Sequence, residues 1–133
     1  MPCRGIRGAI TVESDSAAAI LAASRDLLSQ IVTANGVDPA DIASVLFTVT
    51  ADLSAAFPAQ AARELGWHQV PLMDAQEIPV PGSLARCIRV LIHWNTTKSQ
   101  AEIQHIYLGQ AATLRPDLSP RFPGRQNDKG ALA

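Results

Sequence analysis

The sequence has little cysteine and histidine, two residue types that enzymes often use for metal binding or nucleophilic catalysis. Its 133 residues include two cysteines and three histidines, none at the spacing of a metal-binding or disulfide motif. We therefore expect neither a metal site nor a disulfide framework. Lysine is also scarce, because nine of the eleven basic residues are arginine, and the formal net charge is −1. This balance gives no electrostatic basis for binding nucleic acid.

Long hydrophobic runs are missing as well. The N-terminus has no apolar stretch of signal-peptide length. The most apolar helix candidate, near residues 16–35, is interrupted by Ser24, Arg25, Asp26 and Gln30. We therefore expect a protein that does not enter a membrane and that works in the cytoplasm.

Periodicity and turn residues predict a single mixed α+β domain. Apolar alternation indicates about five strands, the clearest of which is residues 86–94. One long helix should end at Gly36, and a short helix should cover residues 57–66. The chain becomes polar and rich in proline near its end. We expect residues 1–118 to form the domain and residues 119–133 to be a flexible tail.

Two of the nine arginines stand in apolar surroundings. Arg7 lies on a face of small residues in the predicted first strand, and Arg89 lies in the run 87–92 (CIRVLI). A charge in such a place must pair with an acid or face a ligand. A guanidinium presents a planar fork of donors that matches a carboxylate, so the two arginines indicate a small anionic ligand. The structural alternative is an internal salt bridge to Glu77 or Asp74.

Seven ordered sequence blocks run through most of the chain. They are residues 4–9 (RGIRGA) followed by 11–13 (TVE), 52–53 (DL) with 57–59 (FPA), 62–65 (AREL), 76–77 (QE), 87–90 (CIRV), 105–108 (HIYL) and 114–118 (LRPDL). Together they resemble the small, single-domain, trimeric class of bacterial chorismate mutase, which differs from the all-helical class. The resemblance spans about residues 3–118.

The resemblance implies a homotrimeric pseudo-barrel in which active sites lie between subunits. It implies the Claisen rearrangement of chorismate to prephenate in phenylalanine and tyrosine biosynthesis, a pericyclic reaction that needs no cofactor. Four residues are then expected to act directly on the substrate: Arg89 at the ether oxygen, Glu77 at the ring hydroxyl, and Arg7 and Tyr107 at a carboxylate. The other residues expected to bind the substrate are Phe57, Ala59, Arg63, Leu72, Met73, Asp74 and Arg115.

Two positions depart from the family pattern. Gln60 stands where the family often has lysine, so one peripheral positive charge is missing. Asp74 stands where relatives can have cysteine or a small polar residue. An ionised Asp74 beside Glu77 would raise the pKa of one of the two carboxyl groups.

Two other functions stay open at this stage. One is a trimeric enamine/imine deaminase of similar architecture, in which Glu77 would activate a water molecule. The other is a non-catalytic subunit that binds a carboxylate metabolite. Single residues also have structural alternatives, such as a core position for Tyr107 or a surface ion pair for Arg63.

Overall fold

The computed structural model describes residues 1–114 of the chain, which form one five-stranded sheet with helices. The strands are β1 (Cys3–Thr11), β2 (Ile42–Val49), β3 (Leu72–Gln76), β4 (Cys87–Asn95) and β5 (Ile106–Leu108). The helices are α1 (Ala17–Asn35) and α2 (Ala59–Glu64), with 3₁₀ helices at Pro39–Asp41, Gln100–Glu102 and Gly109–Thr113. The predicted α+β class, with about five strands and one long helix, is confirmed.

The strand order in the sheet is β3-β2-β4-β1-β5. Central β4 pairs antiparallel with β1 and β2, whereas the outer strands β3 and β5 run parallel to their neighbours. The register places one row of residues across all five strands, in the order Ala75, Thr48, Arg89, Ala9 and Tyr107. Residues far apart in sequence therefore meet on one face of the sheet.

The two faces of the sheet differ because successive strand residues point to opposite sides. Ile6, Phe47 and Ile92 lie on one face and are fully buried in a core that includes Leu27 and Ile31 of α1. The other face carries the alternate residues of each strand, including Arg7, Thr48, Arg89 and Tyr107. We call it the open face, since α1 and α2 lie on the opposite side of the sheet.

Helix α1 has a defined start and end. Its N-cap Ser16 accepts a hydrogen bond from the Ala19 N–H through Oγ at 3.1 Å. Gly36 follows the last turn with φ of 73°, a conformation that glycine adopts without strain. The helix is long and apolar enough to cross a membrane by length and composition. Its buried side chains, however, pack on the sheet, as those of a core helix do.

Among the element boundaries that differ from the sequence-based prediction are those of the neighbouring strands β2 and β3. The sequence predicts the second strand at residues 44–51 and an irregular segment at 74–85. In the structure β2 covers Ile42–Val49, and β3 extends to Gln76 because it pairs in parallel with β2. Such pairing is a tertiary effect that local propensity does not reveal. Arg115 and the predicted tail lie outside the described residues.

Candidate active site

An ion pair on the open face joins Arg89 on β4 to Glu77 after the end of β3, across the intervening strand β2. Arg89 Nε lies 2.8 Å from Glu77 Oε1. The Thr48 hydroxyl donates a hydrogen bond to the same carboxylate oxygen, also at 2.8 Å. Thr48 is the register partner of Arg89 on β2, and Glu77 directly follows β3. The internal salt bridge that the sequence left open for Arg89 is therefore present.

The ion pair with Glu77 does not occupy all the N–H donors of Arg89. The Nε–H is not directed at the carboxylate, so buried Nε has no hydrogen-bond partner within residues 1–114. The Arg89 side chain is 39% exposed, whereas that of Glu77 is 15% exposed. A guanidinium carries five N–H donors. Arg89 can therefore pair with Glu77 and bind a second anion at the same time.

A cavity of about 310 Å³ brings Arg7, Arg89 and Tyr107 together on the open face. Arg7 is exposed, whereas Tyr107 is 3% exposed and packs with a small buried cluster around Ala9. Leu46 and Leu91 add apolar walls, and Thr48 also lines the cavity. Two cations beside apolar walls suit a small anion that also has a hydrocarbon part.

The second group of predicted residues lies on the other side of the sheet, at the start of α2. Asp74 Oδ1 accepts a hydrogen bond from the Ala59 N–H at 3.1 Å, so β3 caps α2. Burial raises the pKa of Asp74, while the Ala59 hydrogen bond and the Arg63 charge partly oppose this rise. The charge of exposed Arg63 thus acts on Asp74.

The remaining predicted substrate-binding residues are divided between the two faces. Phe57 is 66% exposed and lines a cavity of about 450 Å³ together with Asp74. Leu72 packs against the core on the helix side, whereas its neighbour Met73 is 67% exposed. One protomer therefore brings Arg7, Arg89, Tyr107 and Glu77 together, and holds Phe57, Ala59, Arg63 and Asp74 apart from them. Arg115 is not among the described residues.

Sequence reasoning missed five residues that line the open-face cavity, and besides Gly8 and Val90 there are three whose side chains lie on the open face. These are Leu46 and Thr48 on β2, and Leu91 on β4. Alternation along β2 could have placed Leu46 and Thr48 on one face. Their position beside Arg89 depends on strand register, which a single sequence does not reveal.

The described residues around the open-face cavity have the charges and shapes that suit anion binding. Burial raises the pKa of Cys87 to about 11, so its thiol stays protonated at neutral pH and is a poor nucleophile. Within residues 1–114, no group of three or more histidine, cysteine, aspartate or glutamate side chains could hold a metal ion. The arrangement can hold an anion between Arg7 and Arg89, of which Arg89 is restrained by its contact with Glu77.

Fold and site together define a small α+β protein with an arginine-lined cavity on one face of its sheet. The family model for chorismate mutase type I matches residues 3–118 of this chain. The chain belongs to the type I chorismate mutase family.

Known relatives cover most of the chain. It is 57% identical over 116 residues to chorismate mutase AroH of Thermus thermophilus, covering 86% of this chain and 95% of the relative. Chorismate mutase AroH of Bacillus subtilis is 47% identical over 120 residues, covering 90% of this chain and 94% of the relative. A solved chorismate mutase from Clostridium thermocellum superposes with a TM-score of 0.80 at 50% identity, covering 80% of this chain and 96% of that one.

These likenesses confirm the predicted family and the predicted enzyme class. The chain is an isomerase of aromatic amino acid biosynthesis, in the shikimate pathway. The deaminase and the non-catalytic subunit that the sequence left open are therefore set aside. The roles of the individual site residues stay predictions.

Proposed function

We propose that the open-face cavity binds chorismate and rearranges it to prephenate, with Arg89 as the cation at the ether oxygen. The observation that carries this proposal is the meeting of Arg7, Arg89 and Tyr107 around one cavity, beside the Arg89–Glu77 ion pair. Chorismate has two carboxylates, which suit two arginines. Arg7 binds one carboxylate with help from the Tyr107 hydroxyl, and Glu77 accepts a hydrogen bond from the ring hydroxyl.

The proposed chemistry needs position and charge rather than proton transfer. The substrate has to be held in a chair-like conformer, which is a positioning effect. As the ether C–O bond breaks ahead of C–C bond formation, negative charge grows on the ether oxygen. The Arg89 guanidinium stabilises that charge more strongly in the transition state than in the ground state. No group needs to gain or lose a proton.

We further propose that the working site is shared between neighbouring subunits of a homotrimer. The sheet separates the Arg7–Arg89 group from the Phe57–Arg63 group within one protomer, so one small ligand cannot touch both. Large apolar side chains are exposed near the free edge at β3: Met73, Ile78 and Val80 are 67%, 81% and 58% exposed. Burial of such an edge against another copy stabilises an assembly. A closed threefold arrangement gives each site one contribution from each of two protomers.

Subunit complementation tests the shared site. Arg89→Ala removes the open-face cation, and Arg63→Ala removes the predicted contribution of the neighbour. Each homotrimer should be deficient in turnover of chorismate to prephenate. After the two variants are unfolded and refolded together in equal amounts, about one quarter of all sites should be intact, because each half of a site is wild type with a probability of about one half.

A matched mixture controls the experiment. Arg7→Ala and Arg89→Ala alter the same half of the site, so their mixture should recover nothing beyond the mean of the two variants. Equal recovery in both mixtures, or none in either, would contradict the division of the site between protomers. Wild-type turnover by the Arg89→Ala homotrimer would contradict the assignment of Arg89 itself.

The proposal includes the location of the protein and the role of Arg115. A cytoplasmic location accords with an enzyme of a biosynthetic pathway and with α1 packing as a core helix. Arg115, at the end of the predicted domain, is proposed to close the site over the substrate, as the family resemblance implies.

A further inference from the structure

The backbone of Arg7 is held by a side chain from another part of the chain. The Arg7 N–H donates a hydrogen bond to His105 Nδ1 at 2.9 Å. The parallel pairing of β1 with β5 covers Gly8–Ile10 on β1 and begins at the pair Gly8 and Ile106. Arg7 is thus one residue beyond the paired stretch. The His105 imidazole supplies an acceptor for an N–H group that the strand pairing does not reach.

His105 is itself attached to a rigid support. The neighbouring Gln104 exchanges two hydrogen bonds with buried Asn35, the last residue of α1. The Gln104 N–H donates to Asn35 Oδ1 at 2.8 Å, and Asn35 Nδ2 donates to the Gln104 carbonyl at 2.9 Å. Asn35 is 3% exposed, and its Nδ2 also donates to the Ile31 carbonyl. This support fixes the backbone from which the imidazole reaches Arg7.

We propose that His105 is a positioning residue for Arg7, and that it ties the β1 segment bearing Arg7 to the β5 segment bearing Tyr107. This inference deepens the proposed function, and it rests on the proposed role of Arg7 in binding a substrate carboxylate. In this role His105 acts through Arg7 and is not required to touch the substrate. A loss of His105 should therefore appear as weaker substrate binding rather than as slower chemistry.

The position of the acceptor atom allows a sharp substitution. His105 accepts through Nδ1, the ring nitrogen nearer the backbone. The side-chain oxygen of asparagine lies at a similar distance from its Cα, whereas that of glutamine lies farther out, near the place of Nε2. His105→Asn should therefore keep the bond to the Arg7 N–H, and His105→Gln should lose it. Both replacements are neutral amides, so they differ mainly in reach.

The experiment compares steady-state kinetics with chorismate and amide hydrogen exchange at Arg7. We expect His105→Gln to raise KM about 3- to 10-fold, the factor to which one neutral hydrogen bond corresponds. Its kcat should change less than its KM, and the Arg7 amide should exchange faster than in the wild type. His105→Asn should restore both KM and protection. His68→Asn, at an exposed histidine outside the site, is the matched control and should resemble the wild type.

Two results would overturn the inference. One is a wild-type KM in His105→Gln together with faster exchange at Arg7, since the bond would then not matter for binding. The other is an equal loss in His105→Asn and His105→Gln. The variant Arg7→Ala distinguishes a failure of the His105 inference from a failure of the proposed function. If Arg7→Ala leaves KM unchanged, the role of Arg7 is wrong; if it raises KM while His105→Gln does not, only the role of His105 is wrong.

Discussion

Gly8 lies between the buried core and the open-face cavity. A Cβ added there would lie 2.9 Å from Ile31 Cδ1, 3.1 Å from Leu27 Cδ1 and 3.1 Å from the Ile106 carbonyl oxygen. Ile31 and Leu27 are fully buried, and the carbonyl belongs to β5. Side-chain ends can turn away, but a backbone oxygen in a paired strand moves only with its strand. We therefore predict that Gly8→Ala destabilises the fold and shifts β5.

Gly5 allows the size of this effect to be isolated. It lies in the same strand, and a Cβ there would meet only Leu91 Cδ1, at an ordinary contact distance of 3.5 Å. Replacing glycine by alanine at a compatible position stabilises by about 0.4–1 kcal/mol through the unfolded chain. That gain is similar for Gly5→Ala and Gly8→Ala, so it cancels when the two are compared. The remainder is the overpacking cost of one methyl group, about 1–3 kcal/mol.

Denaturant unfolding of the two variants measures the difference. Both should be examined at one protomer concentration, because the stability of an assembly depends on it. Gly8→Ala should unfold with about 1–3 kcal/mol less free energy than Gly5→Ala, with a similar slope against denaturant. Because β5 bears Tyr107, Gly8→Ala should also raise KM for chorismate. Equal unfolding free energies for the two variants would refute the reasoning, since they would show that the core relaxes around the new methyl group.

Two further predictions concern charged residues of the site. Arg89→Lys should lower kcat about 10²- to 10³-fold, because a single ammonium cannot both pair with Glu77 and reproduce the guanidinium fork. Arg7→Lys should act mainly on KM. A wild-type kcat for Arg89→Lys in a steady-state assay would contradict the proposed role of Arg89. The pKa of Asp74 is raised in the fold, so the folded state favours the protonated acid. The stability that the protonated acid provides at low pH is therefore lost as pH rises through the pKa of the folded state. Asp74→Asn keeps an acceptor for the Ala59 N–H without the partly buried charge. The melting temperature of Asp74→Asn should therefore exceed that of the wild type near neutral pH and approach it in acid. Asp74→Ala should melt below Asp74→Asn. A higher melting temperature for the wild type than for Asp74→Asn at neutral pH would count against the burial effect.

Local patterns predict the fold well where they repeat along one element. Alternation in β1 predicts that Ile6 and Ile10 face the core while Arg7 faces away, and the structure confirms it. The cap and the glycine exit of α1 are likewise local, and the predicted helix end at Gly36 is confirmed. The boundaries of β3 were harder to predict, because its last residues are held by pairing with β2 rather than by their own propensity.

The site is predicted less completely, because register and reach between distant segments define it. Thr48 comes beside Arg89 only through the pairing of β2 with β4. His105 reaches Arg7 across 98 positions of sequence, from a segment whose own pattern indicates only a short strand. Sequence motifs also do not reveal that the predicted residues are divided between the two faces of the sheet. The structure separates these residues into two groups on opposite sides of the sheet.

The two interpretations of Arg89 that the sequence set against each other prove compatible. A purely structural arginine would be enclosed with its acid, yet Arg89 is more exposed than Glu77, and it borders a cavity with a second arginine. A purely ligand-binding arginine would have no internal partner, yet Nε lies 2.8 Å from the Glu77 carboxylate. The ion pair restrains the guanidinium before any ligand arrives. A cation held in place in advance needs no reorganisation when charge develops beside it. In the proposed mechanism, the contact that stabilises the Arg89 side chain therefore also prepares it for catalysis.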